Sequence, residues 1–246
     1  MSSVIIIPSR LDAQRLPRKP LAMIGDKPMI QHVFEQALAA DIAPVYVATC
    51  SEELASVVRD FGGNAIVTDP KLPSGTDRVY AALKTINHIY DRVINVQGDL
   101  PFIDPKTIKA VYDAFLPDSD ITSVCAPITD HREIDTPSVV KPVLSFLSKT
   151  QAKALYFSRS PVPYGATQYY HHIGVYGYRT RALKEFVSLP PSPLELAEKL
   201  EQLRALEAGM IIHMGLVETA PIAIDTQEDL EKARLYIKQN DMIGRP

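Results

Sequence analysis

Hydrophobic and polar positions along this chain fall into short blocks of two periods. Residues 4–7, Val-Ile-Ile-Ile, form a β-branched run that stops at Pro8, the pattern of a central strand buried on both faces. Met29, Ile30, Val33, Phe34, Ala37 and Leu38 then recur at helical spacing, with Pro28 as the first helical residue. Residues 44–49 read as a second strand. Ser51 caps a helix carrying Leu54, Val57, Val58 and Phe61, which Gly62-Gly63 ends, and residues 65–67 are a third strand. A helix over 75 to about 90 and a strand over 92–96 follow, before the turn Gly98-Asp99-Leu100-Pro101. This alternation predicts a mostly parallel sheet with helices on both faces and a ligand site beyond the carboxyl ends of the strands.

The pattern changes past Pro117. Residues 121–128, 138–145, 154–158 and 172–179 are strand-like with little helix between them, so this half is expected to be partly antiparallel. A helix over about 194–208 carries Leu196, Leu200, Leu203 and Leu206 on one stripe, and 211–217 is a strand. Thr226 followed by Asp229 resembles a capping box that opens the last helix.

Composition narrows the class. The chain has 246 residues, 46% hydrophobic and 22% charged, which excludes a disordered, collagenous or coiled-coil protein. Its 26 basic and 29 acidic side chains give a net charge of −3, so nothing global draws it to nucleic acid or an anionic membrane. No run approaches the roughly 18 apolar residues that span a bilayer, and no signal peptide is evident, so a soluble, unprocessed, cytoplasmic protein is expected. Cys50 and Cys125 sit in apolar, β-prone stretches and read as reduced, buried thiols. The 20 prolines outnumber the 11 glycines, which leaves little glycine for a backbone cradle.

Two rim segments carry candidate chemistry. The loop from Pro8 to Leu21 holds Arg10, Arg15, Arg18 and Lys19 against one acid, Asp12. Arginine forks and a lysine point charge suit a triphosphate, although an ordinary basic surface loop has the same composition. Neither GxxxxGK[ST] nor GxGxxG is present, which argues against a P-loop and a dehydrogenase. In Asn95-Val96-Gln97-Gly98-Asp99 an acid directly follows a strand, and Asp225 follows Ile222-Ala223-Ile224. Either acid could simply cap a turn or a helix, but two carboxylates converging on a triphosphate are what Mg²⁺ requires. On a strand His172, Gly174, Tyr176 and Tyr178 share a face opposite His171, so His172 and Tyr176 can share a pocket.

Several motifs in order carry a family resemblance: Pro8-Ser9-Arg10, Arg15-Leu16-Pro17-Arg18-Lys19-Pro20-Leu21, Gly25-Asp26-Lys27-Pro28-Met29-Ile30, Ser74-Gly75-Thr76-Asp77-Arg78, Asn95-Val96-Gln97-Gly98-Asp99 and Leu155-Tyr156-Phe157-Ser158-Arg159. They continue through His172-Ile173-Gly174-Val175-Tyr176-Gly177-Tyr178-Arg179, Ser192-Pro193-Leu194-Glu195, Leu200-Glu201-Gln202-Leu203-Arg204 and Asp225-Thr226. Together they closely resemble the 3-deoxy-manno-octulosonate (Kdo) cytidylyltransferases, the CMP-Kdo synthetases of Gram-negative bacteria, over nearly the whole chain.

The resemblance implies a Rossmann-like α/β fold of the nucleotide-diphospho-sugar transferase type, one domain over 1–246 with an inserted dimerisation and sugar-binding segment at about 128–180. It implies a cytoplasmic homodimer that joins CTP to an acidic eight-carbon sugar for lipopolysaccharide assembly, with Mg²⁺ as cofactor. By the match, Arg10 and Lys19 hold phosphates, and Asp99 and Asp225 hold the metal. Pro8, Ser9, Arg10, Lys19, Ser74, Gly75, Thr76, Arg78 and Gln97 surround CTP, while Gln97, Arg159, His172, Tyr176, Glu201 and Gln202 take the sugar.

The chain departs from the family in places. Arg18 stands where a Gly is common, Leu100 replaces a Glu beside the metal site, Leu72-Pro73 replaces a polar pair, Tyr164 replaces a Trp, and the loop between Tyr164 and His171 is shorter. A related acidic sugar, such as the 8-amino analogue or a sialic acid, and a non-catalytic nucleotide-binding relative are the competing readings.

Overall fold

A computed structural model describes residues 1–12 and 15–243. Ala13 and Gln14, inside the basic loop, lie outside the described residues. In chain order the elements are β1 (Ser3–Ser9), the hairpin β2 (Met23–Ile24) and β3 (Lys27–Pro28), α1 (Met29–Ala39), β4 (Val45–Thr49), α2 (Glu52–Asp60), β5 (Asn64–Val67), α3 (Gly75–Leu83) and β6 (Arg92–Asn95). Then come α4 (Pro105–Asp113), β7 (Ile121–Pro127), β8 (Lys141–Phe146), β9 (Gln151–Ser158), β10 (Tyr170–Arg179), α5 (Thr180–Phe186), α6 (Pro193–Glu198), α7 (Gln202–Glu207), β11 (Ile212–Leu216) and α8 (Gln227–Ile243). The fold is mixed α/β, as expected. No helix among the described residues is long and apolar enough to cross a membrane.

The chain forms two compact units. The first comprises Val4–Ile89, Asn95–Pro105 and Pro221–Pro246. Apart from the antiparallel β2–β3 hairpin, its strands run in the order β5-β4-β1 and are parallel, with Ile5 opposite Val45 and Ser9 opposite Thr49. Every residue of β1 is buried, which is why it reads as an unbroken apolar run rather than an alternating one. Helix α1 buries Met29, Ile30, Val33, Phe34 and Ala37, but Leu38 lies off that stripe and is 57% exposed. Pro28 precedes the helix as its extended cap residue rather than opening it. Ser51 Oγ accepts the Leu54 amide at 3.3 Å, and Gly62 at φ +85° follows the end of α2. Helix α3 stops at Leu83, short of the expected Tyr90: the amides of Thr85 and Ile86 bond three residues back, and Thr85 Oγ1 donates to Ala82 O at 2.8 Å. At the start of α8, Asp229 accepts from Thr226 N and Oγ1, and its own amide donates to Thr226 Oγ1, completing the capping box.

The second unit comprises Met1–Ser3, Tyr90–Ile94 and Lys106–Ala220, with strand order β6-β10-β7-β11-β9-β8. β7 pairs antiparallel with β10 and parallel with β11, while β9 is antiparallel to both β11 and β8. The partly antiparallel second half is therefore present. The single helix expected over 194–208 is two helices, because Lys199 turns into the left-handed region at φ 55°. Its leucines consequently part: Leu200 and Leu203 are buried, whereas Leu196 is 65% exposed. Of the two thiols, Cys125 is buried, and burial alone pushes it up to about 12, but Cys50 is only half-buried; neither forms a disulfide. Lys141 is wholly buried and its ammonium donates to the carbonyls of Thr136, Val139 and Arg159 at 3.1, 2.7 and 2.6 Å. All three donors are satisfied, which is what permits a cation there.

Gly177 shows how tight this unit is. A Cβ there would strike Thr122 Oγ1 and come within 2.8 Å of Phe115 Cε2. Gly177→Ala is expected to destabilise the fold by about 1–3 kcal/mol, measured by urea unfolding; an unchanged midpoint would contradict this packing.

Candidate active site

The first unit contains a cavity of about 1000 Å³ at the carboxyl end of β1. Its wall is built from Pro8, Ser9 and Arg10 as β1 ends, from Asp12, Arg15, Leu16, Lys19 and Pro20 of the basic loop, from 72–75 and Arg78, and from Gln97, Gly98, Asp99 and Asp225. Gly98 lets the two segments approach closely, since a Cβ would lie 3.2 Å from Pro8 O and 3.4 Å from Ser9 Oγ.

Local packing explains how the loop holds its charges in place. Leu16 is buried in a cluster with Ile24, Met29, Ile224, Leu230 and Ala233, anchoring the loop against β2, the start of α1 and α8. Arg18 occupies the left-handed region at φ 57°, where a glycine would be unstrained, and its guanidinium pairs with both oxygens of Glu53 in the first turn of α2. A 3₁₀ turn over Lys19–Leu21 then aims Lys19 inward. Its ammonium lies 2.9 Å from Asp99 Oδ2 and 3.0 Å from Asp225 Oδ1, and Arg15 Nη2 lies 3.2 Å from Asp225 Oδ2. The two acids are fixed to each other through the backbone, Ile224 N donating to Asp99 O at 3.0 Å. Burial opposes the charge on Lys19, whose side chain is 17% exposed, but the Asp99 and Asp225 carboxylates outweigh it and raise its pKa.

Two carboxylates that meet on one cationic nitrogen are a donor set suited to Mg²⁺. No group of three or more His, Cys, Asp or Glu among the described residues could hold a metal by itself, so a divalent ion held here would draw its other ligands from water and substrate oxygens, the usual arrangement for Mg²⁺.

Thus Pro8, Ser9, Arg10, Lys19, Ser74, Gly75, Arg78, Gln97, Asp99 and Asp225 are brought together on one cavity wall. Thr76 is not among them: it is buried in α3, which Ser74 caps by accepting the Asp77 amide at 3.1 Å. The Arg78 guanidinium is held by Thr68 Oγ1 and Asp69 O. Leu100 is buried and stays off the cavity wall, so at this position the chain adds to the core rather than to the site. Arg15, quoted in the motif but assigned no role, reaches Asp225; its signal was a fourth cation in the loop.

Arg159, His172, Tyr176, Glu201 and Gln202 belong to the second unit. Imidazole and phenol of His172 and Tyr176 meet edge to face with centroids 5.4 Å apart, and Gln202 is buried. Burial, reinforced by the neighbouring Tyr178 and Glu201, raises the Tyr176 pKa well above the usual phenol value. Burial, with a smaller effect from His171, pushes His172 down to about 3, so its ring is neutral. Arg159 is already engaged: Nε donates to Glu198 O at 2.6 Å, Nη1 to Pro137 O at 2.9 Å and Nη2 to Lys199 O at 3.2 Å. It holds the carbonyl end of α6 and keeps one further N–H on each Nη.

Residues 4–212 match the cytidylyltransferase family. Over 243 residues the chain is 51% identical to the 3-deoxy-manno-octulosonate cytidylyltransferase of Parvibaculum lavamentivorans, spanning 97% of this chain and 94% of that protein. With the Rhodospirillum rubrum protein of the same name it shares 48% identity over 239 residues, 95% of each chain. A solved structure of CMP:2-keto-3-deoxy-manno-octonic acid synthetase complexed with CTP aligns at TM-score 0.91 and 39% identity, covering 98% of this chain and 100% of that one.

The His172 environment predicts a pH dependence. The unfolded chain protonates this imidazole near 6.5 and the folded one only near 3, so its contribution to stability is complete above about 6.5 and is lost as pH falls toward 3. Between pH 7 and pH 5, urea unfolding of the wild type is expected to lose more stability than unfolding of His172→Gln; equal losses would contradict the assignment.

Proposed function

The chain belongs to the 3-deoxy-manno-octulosonate cytidylyltransferase family, and on that premise we propose that it transfers CMP from CTP to Kdo, releasing pyrophosphate and giving CMP-Kdo for lipopolysaccharide assembly. The observation that carries this reading is the Lys19 ammonium joined at once to Asp99 and Asp225 within a cation-lined cavity. The anomeric hydroxyl of the sugar attacks the α-phosphorus, the bond to the bridging α,β-oxygen breaks, and the hydroxyl proton passes to water as pyrophosphate leaves. Such a displacement is accelerated by positioning and by neutralising the charge on the phosphates.

Each residue then has a part. Arg10, Arg15 and Lys19 supply positive charge to the triphosphate, Arg as planar forks and Lys as a movable point charge. Pro8, Ser9, Ser74 and Gly75 border the nucleoside. Asp99 and Asp225 hold Mg²⁺, which when bound further neutralises phosphate oxygens. Tyr176, Glu201, Gln202 and His172 offer uncharged donors and acceptors with one carboxylate to the sugar hydroxyls, and the remaining N–H groups of Arg159 suit the sugar carboxylate. Gln97 lies on the CTP wall in this reading and has a place beside the sugar by family match. A homodimer in the cytoplasm, with 128–180 as the dimerisation segment, completes the proposal.

Pyrophosphate release from CTP, Kdo and Mg²⁺ tests it. The wild type is expected to turn over, and Asp99→Ala and Asp225→Ala are each expected to lose about a hundredfold or more in kcat while retaining wild-type circular dichroism. Full activity in either variant would remove that residue's assignment. Silence with Kdo beside turnover with another ulosonic acid would move the substrate, and silence with every acceptor despite CTP binding would overturn the enzyme reading.

A further inference from the structure

Ser123, on β7, is fully buried, and no motif marks it. Its Oγ lies 2.8 Å from Val175 O, 3.2 Å from Ile173 O and 3.0 Å from His172 Nε2. These three partners are gathered by the bulge in β10 between Ile173 and Tyr176.

The protons in this cluster can be counted. A serine hydroxyl has one, and carbonyl oxygens have none to give. Two oxygens 2.8 Å apart need a proton between them, so the Ser123 proton is committed to the bulge carbonyls, Val175 O first. Ser123 Oγ can then face His172 only as an acceptor, and His172 Nε2 must carry the hydrogen. In a neutral imidazole this leaves Nδ1 with a lone pair. Nδ1 makes no hydrogen bond among the described residues. The ring is held in orientation by Phe157, at 4.9 Å between centroids, and by Tyr176 at 5.4 Å, and the His172 amide is tied to Val140 O.

We propose that Ser123 is a positioning residue that fixes His172 as the Nε2–H tautomer, so that His172 meets the sugar as a hydrogen-bond acceptor and reads a hydroxyl rather than the carboxylate. The proposal rests on the reading of His172 as a sugar-facing residue. Its chemical consequence is directional. A lone pair on Nδ1 attracts the O–H of a polyol and repels an anion, so the carboxylate end of the substrate must lie away from His172.

Long-range ¹H–¹⁵N NMR of the intact, histidine-labelled enzyme tests this, with His172→Gln assigning the resonance. The expected result is a protonated Nε2 and an unprotonated Nδ1 between pH 6 and 8. Ser123→Ala is expected to mix the tautomers and raise KM for Kdo about tenfold, the effect of one lost hydrogen bond, with KM for CTP and kcat within about twofold. Ser123→Thr, which keeps the hydroxyl, is expected to restore the wild-type tautomer. A wild-type His172 protonated on Nδ1 would overturn the proposal even if Ser123→Ala failed to fold, and so would an unaltered tautomer in Ser123→Ala. Normal turnover with an unchanged KM for Kdo in His172→Gln would overturn the sugar-facing reading of His172, whereas a wild type silent toward Kdo would overturn the proposed function instead.

Discussion

The ammonium of Lys19 between Asp99 and Asp225 is the contact on which the first unit is organised. These acids are 80 and 206 residues from Lys19 in sequence, yet both reach one nitrogen at about 3 Å. Two carboxylates held that close repel each other unless a cation stands between them, and the repulsion grows as water is excluded. The surrounding construction serves that demand. A fully buried β1 ends at the cavity, Leu16 sinks the basic loop into the apolar cluster beneath it, and a backbone hydrogen bond from Ile224 to Asp99 locks the two acid-bearing segments together. Lys19 is thus a resident counterion for both rim acids, and in the proposed function it stands where the polyphosphate and its metal bind.

The second unit solves a different problem with different chemistry. Its sugar-assigned groups are kept uncharged where they are most buried: His172 is neutral and Tyr176 keeps its proton. Its two prominent cations, Lys141 and Arg159, spend donors on main-chain carbonyls and thereby shape 136–139 and the end of α6. In the proposed function, charge does the work around the triphosphate, whereas oriented neutral hydrogen-bonding groups do it around a polyol. The division matches what each partner offers, since phosphates present little but charge and a sugar presents an ordered set of hydroxyls.

What could be read from the sequence follows from where the governing forces are local. β1 was legible because burial on both faces demands an unbroken apolar run, and α2 and α8 because their caps are side chains within three residues of the helix start. The pair of helices α6 and α7 was not, because the break at Lys199 is stabilised by Arg159, 40 residues away. Asp99 and the basic loop were visible as charges after strands and Asp225 as an acid after an apolar run, and ordered motifs gave them company, but the convergence of both acids on one nitrogen is a property of the packed loop. Thr76 was carried along by its motif but is buried in α3, off the cavity wall. Ser123 sent no signal at all: a hydroxyl in an apolar strand has meaning only once the bulge of β10 brings three partners to it.

A crystal structure of the enzyme with CTP and Mg²⁺ tests the central claim most directly. The account predicts that the metal takes the place between Asp99 and Asp225 while Lys19 Nζ turns from the carboxylates to a phosphate oxygen. A complex in which Lys19 still bridges both acids, with the triphosphate and metal bound elsewhere, would contradict it.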